Sequence, residues 1–212
     1  MQSSLLLPKN PMECYAEEIM DDLKKHREDK FMIKTITKGD GNCGLTAVLQ
    51  ASDDEITTPQ QLRKAVCDLA LTSKDPKIVT VRNNYQEHFE NSTDDKNKKP
   101  ATWEEHWKTM SQDKVWVDDL FLTITGIYLN KDIKIWIVND GGTFYKINGG
   151  EGNSGKEIIH LAYIKGKHYQ SPVKKPKEKK LKGLVEEWLK ISDDRNRPIL
   201  RDALTEAIEM YR

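Results

Sequence analysis

Apolar and polar positions alternate along this 212-residue chain with periods that change from segment to segment. After Pro8 and Pro11, the stretch from Met12 to Lys30 carries Tyr15, Ile19 and Leu23 at near-helical spacing and predicts a helix. Phe31 to Ile36 alternates loosely and predicts a short strand, followed by the dense turn signal Lys38-Gly39-Asp40-Gly41-Asn42. Small and apolar residues then run from Cys43 to Ala51 at helical spacing. Thr58 and Pro59 form an N-cap and first turn for a helix with the stripe Leu62, Val66 and Leu69. Residues 83–102 are polar throughout and predict a solvated loop or insertion. Helical character returns from Thr102 to Met110, with Trp103 and Trp107 on one face, and from Val117 to Leu129, with Leu120, Ile124 and Ile127 inward. Ile133 to Val138 and Thr143 to Ile147 flank Asn139-Asp140-Gly141-Gly142 and predict a hairpin. Asn148 to Gly155 is glycine-rich and loop-like. Glu157 to Ile164 reads as a strand that turns at Gly166-Lys167 into a second, His168 to Val173.

The organisation expected from this pattern is an N-terminal helical segment (1–30), a central domain (31–173), a lysine-rich linker (174–182) and a C-terminal helical extension (183–212). The linker holds six lysines. The extension places Leu184, Val185, Trp188 and Leu189, then Leu200, Ala203, Leu204, Ala207, Ile208 and Tyr211, on two short amphipathic helices around Pro198. Composition narrows the function classes. Charged residues make up 32% against 37% hydrophobic, the mean hydropathy is −0.73, and 34 basic side chains balance 34 acidic ones. Zero net charge argues against a whole-protein grip on nucleic acid or anionic lipid. No apolar run approaches the ~20 residues of a membrane span. The run Leu5-Leu6-Leu7 is too short for a signal-peptide core, so the expectation is a soluble cytoplasmic protein. Three widely spaced cysteines, Cys14, Cys43 and Cys67, with no C-x-x-C pair, suit a reducing compartment and neither a disulfide framework nor a cysteine-rich zinc site.

The chemistry-bearing run is Gly39-Asp40-Gly41-Asn42-Cys43-Gly44. A cysteine that opens a helix meets unpaired N–H groups and the positive end of the macrodipole, both of which favour thiolate. The flanking glycines let backbone approach a substrate, and the same N–H groups can bind a developing oxyanion. Cys14 and Cys67 fall on amphipathic helices and read as filler. Such a nucleophile needs a base. Of the five histidines, His26, His88 and His106 read as solvated and His160 as part of a strand. His168, which follows a tight turn, opens a strand and precedes Tyr169, is favoured by position.

Gly39-Asp40-Gly41-Asn42-Cys43 and His168-Tyr169 at an apolar strand resemble the two signature blocks of the OTU (ovarian tumour) cysteine proteases. Trp116-Val117-Asp118-Asp119, the helix after it and the strand Ile133–Val138 resemble the family's intervening tryptophan–acid segment. The order holds over residues 31–173. The resemblance implies a mixed α/β (α+β) papain-like fold with a small central sheet packed between helices. It implies a deubiquitinating thiol protease that acts on ubiquitin or polyubiquitin chains or on related modifiers, with no metal or other cofactor. Carried over by position, Cys43 is the nucleophile, His168 the general base, and Asp40 part of the loop that shapes the oxyanion hole with Gly41 and Asn42. The family's third triad position, two residues after the histidine, holds Gln170. Glutamine can accept a bond from the imidazole but cannot stabilise imidazolium by charge; Asp40 or an acid from the N-terminal region is the other candidate for orienting the ring. Gln170 also keeps open the reading of a catalytically weak ubiquitin-binding module. The Cys43-Gly44-Leu45-Thr46 continuation is closer to bacterial and viral members and suggests an effector acting in a host cytoplasm.

Overall fold

The computed structural model describes residues 10–52, 58–90, 102–147 and 157–175. The glycine-rich loop, most of the linker and the C-terminal helices expected above lie outside the described residues.

Helix α1 (Pro11–Lys25) opens where the Asn10 side chain accepts the Met12 N–H at 3.0 Å and Pro11 presets the first turn. It stops five residues short of the expected Lys30. Arg27 takes a left-handed conformation (φ 61°), the Glu28 N–H reaches back to the Leu23 carbonyl and the Arg27 N–H to that of Lys24. That is a Schellman closure with arginine where glycine is usual. Strand β1 (Phe31–Ile33) is shorter than expected and pairs antiparallel with β6 (Pro172–Lys174).

Helix α2 (Cys43–Ala51) begins at Cys43, as its pattern predicts. Helix α3 (Pro59–Thr72) is capped by Thr58, whose side chain accepts the Gln61 N–H. Helix α4 (Pro76–Glu90) overturns the loop expected from residue 83. Among its described side chains, only Ile78, Val81 and Tyr85 reach the core, so that part of its buried stripe is too thin to stand out from the polar surround. Helix α5 (Trp103–Met110) starts with a reciprocal capping box between Thr102 and Glu105. Helix α6 (Asp119–Tyr128) is capped by Asp118 onto the Phe121 N–H. Its fully buried apolar residues are Phe121, Leu122 and Ile124, joined by Thr125, whereas Leu120 and Ile127 are only partly covered. The stripe is rotated from the expected one because α6 packs against both α3 and the sheet.

The main sheet has the order β3-β2-β4-β5. Strands β2 (Asp132–Ile137) and β3 (Phe144–Ile147) form the expected antiparallel hairpin, β4 (Ile158–Ile164) runs parallel to β2, and β5 (His168–Gln170) returns antiparallel to β4. The β4–β5 turn has positive φ at both Lys165 and Gly166, the type I′ geometry that matches strand twist. The expected strand from His168 to Val173 is split: β5 belongs to this sheet, and β6, after Ser171, leaves for the pair with β1.

Side-chain alternation divides the core. Ile133, Ile135, Ile159 and Leu161 face the cluster built from α2, α3, α5 and α6, which includes Leu45, Val66, Trp103, Trp107 and Phe121. Trp136, Ala162 and Ile164 face the other way and are covered by Ile19 and Leu23 of α1, with Phe31. A buried carboxylate pins α1 there: Asp22 Oδ2 accepts the Trp136 indole N–H at 2.9 Å and the Asn139 N–H at 3.1 Å. Among the described residues, no helix is long and apolar enough to cross a membrane.

Candidate active site

The nucleophile candidate sits where α2 meets the edge of the sheet. Cys43 is the first residue of α2, and its sulfur receives backbone N–H groups from Tyr169 of β5 and from Gly44. This brings the start of the helix against the strand that opens with His168. Cys43 is only 5% exposed, and that decides its ionisation. Burial pushes the thiol above its ordinary pKa, Asp40 adds to the rise, and the N–H groups of Tyr169, Gly44 and Cys43 offset only part of it. The expectation that the helix start favours thiolate is therefore corrected: loss of water outweighs the dipole. Burial likewise pushes the His168 imidazole below its ordinary value, and the nearby Asp40 charge opposes the shift. Both shifts favour the neutral form, the thiol of Cys43 and the uncharged imidazole of His168.

The loop before Cys43 is tied down by hydrogen bonds. Asp40 is exposed, and its Oδ1 accepts the Asn42 N–H at 2.9 Å. That amide is thereby engaged, and the Cys43 N–H is unpaired within the helix at its first position. Asn42 caps α2 without a side-chain bond to it, because its amide is used elsewhere. Its Oδ1 accepts from Arg63 Nη2 at 2.8 Å and its Nδ2 donates to Asp113 at 2.9 Å. Arg63, 2% exposed, also donates to the carbonyls of Met110 and Val115, each at 2.7 Å. One guanidinium thus joins the cysteine loop to the segment 110–117.

The glycines serve the same closure. Gly41 has φ 87°, and a side chain there would meet the Lys114 carbonyl. At Gly44 a Cβ would overlap Val117 Cγ2. Their small size admits the neighbouring loop rather than a substrate, which corrects that part of the sequence reading. Gly41, Cys43, Gly44, Trp116, Val117, Tyr163, Lys167 and Tyr169 line a narrow pocket of about 20 Å³, room for about one water. Tyr163 and Tyr169 stack along it at 4.5 Å, and Trp116 stands 54% exposed at its lip.

The histidine side is different. His168 is 2% exposed, and its Nε2 has no hydrogen-bond partner among the described residues. Gln170 lies on the same face of β5 but turns its Oε1 to Thr37, accepting both the Thr37 N–H at 2.8 Å and the Thr37 hydroxyl. Its amide nitrogen is buried without a partner. The other histidines lie elsewhere. His160, on β4, packs between Phe31 and Phe144, and burial, reinforced by Lys174 and Lys134, pushes it down to about 4. His26 caps α1 and meets Trp136 edge-on at 5.6 Å. His106 packs between Tyr85 and Trp107 near Asp118. His26 and His106 are thus packed rather than solvated, because aromatic neighbours close over them. Cys67 is buried in α3 and Cys14 is exposed on α1.

Two features escaped the sequence reading. Arg63 could have been found, since it falls on the same stripe as Leu62, Val66, Cys67 and Ala70, where a charge must be fully partnered. The turning of Gln170 toward Thr37 had no local signal.

A family model described as OTU-like cysteine protease matches residues 38–171, well over half of the chain. The chain belongs to the OTU-like cysteine protease family. Among solved structures, the OTU domain of OTUD1 is similar with a TM-score of 0.50 and 20% identity, over 75% of this chain and 95% of that one. An OTU deubiquitinase from Wolbachia pipientis wMel, solved bound to ubiquitin, is similar with a TM-score of 0.49 and 16% identity, over 69% and 97% of the two chains. The viral OTU domain protease from Dera Ghazi Khan virus gives 0.48 and 18%, over 68% and 81%. No curated protein sequence matches the chain. The OTU fold implied by the sequence, a small mixed sheet between helices, is the one observed. Its α2 and β5 carry the two signature blocks.

Proposed function

We propose that this OTU protein is a deubiquitinating cysteine protease that hydrolyses the isopeptide or peptide bond after the C-terminal glycine of ubiquitin. The observation that carries this reading is the meeting of Cys43, at the start of α2, with the backbone of β5 beside His168, above a pocket too narrow for side chains. A narrow slot favours a chain that ends in glycines, which bring no side chains to it.

The burial that favours neutral forms of both groups shapes the first step. As Cys43 Sγ bonds to the carbonyl carbon, His168 takes the thiol proton, so general-base help replaces a standing thiolate. The carbonyl oxygen becomes an oxyanion, with the Cys43 N–H as a donor. The C–N bond then breaks, and the imidazolium returns its proton to the leaving amine, giving a thioester. Water, deprotonated by His168, attacks that thioester; the C–S bond breaks and the thiol is regained. Asp40 stabilises the transient imidazolium by its charge rather than by contact, in keeping with its upward pull on the His168 pKa. Gln170, engaged by Thr37, orients the segment before the cysteine loop instead of the imidazole.

The test is a ubiquitin probe with an electrophile at its C-terminus. Covalent capture that Cys43→Ala abolishes, with turnover of ubiquitin chains, supports the protease. Binding without capture would overturn it in favour of a ubiquitin-binding module, the reading that the unpartnered His168 Nε2 favours.

A further inference from the structure

The family match begins at residue 38, so α1 lies wholly before it. Even so, α1 touches both catalytic segments. The Tyr15 ring lies 5.7 Å from the His168 imidazole, centroid to centroid, tilted by 35°. One turn earlier, Met12 covers Gly39 of the cysteine loop, where an added Cβ would come within 3.0 Å of the Met12 sulfur. Met12, Tyr15 and Ile19 follow the i, i+3, i+7 spacing of one helix face. Ile19, fully buried, anchors that face in the cluster with Trp136, Ala162 and Ile164. Tyr15 is braced in turn by the β4–β5 turn. Lys165 Nζ stands 5.4 Å from the Tyr15 ring centroid and pairs with Glu18 at 2.7 Å.

His168 lacks the usual means of orientation. Gln170 Oε1 is bound by Thr37, and the imidazole Nε2 has no partner among the described residues. A ring whose Nε2 makes no hydrogen bond relies more on what it packs against, and an aromatic contact contributes about 0.5–1.5 kcal/mol beyond simple burial. Resting on the protease reading, we infer that Tyr15 is a positioning residue for His168: its ring, delivered by a helix outside the family domain, holds the imidazole where a polar third partner otherwise would.

The experiment uses the full chain with Tyr15→Ala, Tyr15→Leu and Tyr15→Phe. The readouts are kcat and KM on a fluorogenic ubiquitin C-terminal amide, and the rate at which iodoacetamide alkylates Cys43, followed by mass spectrometry. Misaiming a base by ~1 Å slows chemistry by ~10- to 100-fold. Tyr15→Leu, which keeps apolar bulk, is therefore expected to lower kcat about tenfold with KM within about twofold. It should slow alkylation several-fold, and Tyr15→Phe should restore both. Turnover of Tyr15→Leu within about twofold of the parent, or failure of Tyr15→Phe to restore it, would overturn the inference. Tyr15→Ala reads the same loss if its thermal unfolding stays cooperative; if it does not fold, the leucine variant decides. If the parent is alkylated at Cys43 but cleaves no ubiquitin substrate, the protease reading fails, and the alkylation rates alone decide the role of Tyr15.

Discussion

The two halves of the candidate active site are held by different forces. Around Cys43, hydrogen bonds over-determine the backbone: Asp40 holds the Asn42 amide, and Arg63 ties the Asn42 side chain to Met110 and Val115. Around His168, polar atoms of three neighbouring residues, His168 Nε2, Gln170 Nε2 and Ser171 Oγ, are buried without partners. There, aromatic packing sets position. The contrast suits the chemistry. An oxyanion site must be fixed before reaction, because donors that reorganise lose their advantage. A base that takes a proton from sulfur and returns it to nitrogen has to serve two positions, which a packed but unbonded ring can do.

Removing the clamp on the rigid half should have the largest effect on stability. Arg63→Ala leaves the carbonyls of Met110 and Val115 and the Asn42 side chain without their donor. It is expected to destabilise the fold by about 3 kcal/mol, read from the urea midpoint, and to lower kcat as the cysteine loop loosens. Arg63→Lys, with one point donor in place of a fork, should recover only part of this. On the packed half, Gln170→Ala orphans the buried Thr37 N–H, while the Thr37 hydroxyl keeps Gln50 Oε1 at 3.2 Å, and should cost about 1–2 kcal/mol. Its effect on kcat should be smaller than that of Tyr15→Leu. A collapse of turnover with unchanged stability would instead make Gln170 an imidazole partner and dissolve the comparison.

The smallest predicted effect is on pH dependence. Catalysis needs neutral His168, so kcat/KM should rise with pH through an apparent pKa below the ordinary value of about 6.5, because burial disfavours the imidazolium. Asp40 favours the charged form. Asp40→Asn, which can still accept the Asn42 N–H, should therefore move that acid limb further down. A limb that stayed in place would separate Asp40 from the imidazole.

Much of this architecture was legible one element at a time. The start of α2 at Cys43, the caps at Thr58 and Thr102, the β2–β3 hairpin and the turn before His168 all rest on local chemistry, in which a capping side chain or a left-handed turn residue acts within a few positions of itself. The candidate nucleophile and base were legible for the same reason, as short motifs at element ends. Helix α4 was not, since core positions as sparse as Ile78, Val81 and Tyr85 among its described side chains scarcely differ from a polar loop. The early end of α1 was hidden too, because arginine in a left-handed cap is uncommon.

What the chain alone determined, then, was where many of its elements begin and end and which two side chains are the candidates for nucleophile and base, because these depend on neighbours in sequence. Only the tertiary structure decided the burial of Cys43, the partner of Gln170, the clamp through Arg63 and the contact of Tyr15 with His168. Each of these depends on exclusion of water and on groups distant in sequence, 133 positions apart for Thr37 and Gln170. No local pattern encodes which such groups will meet.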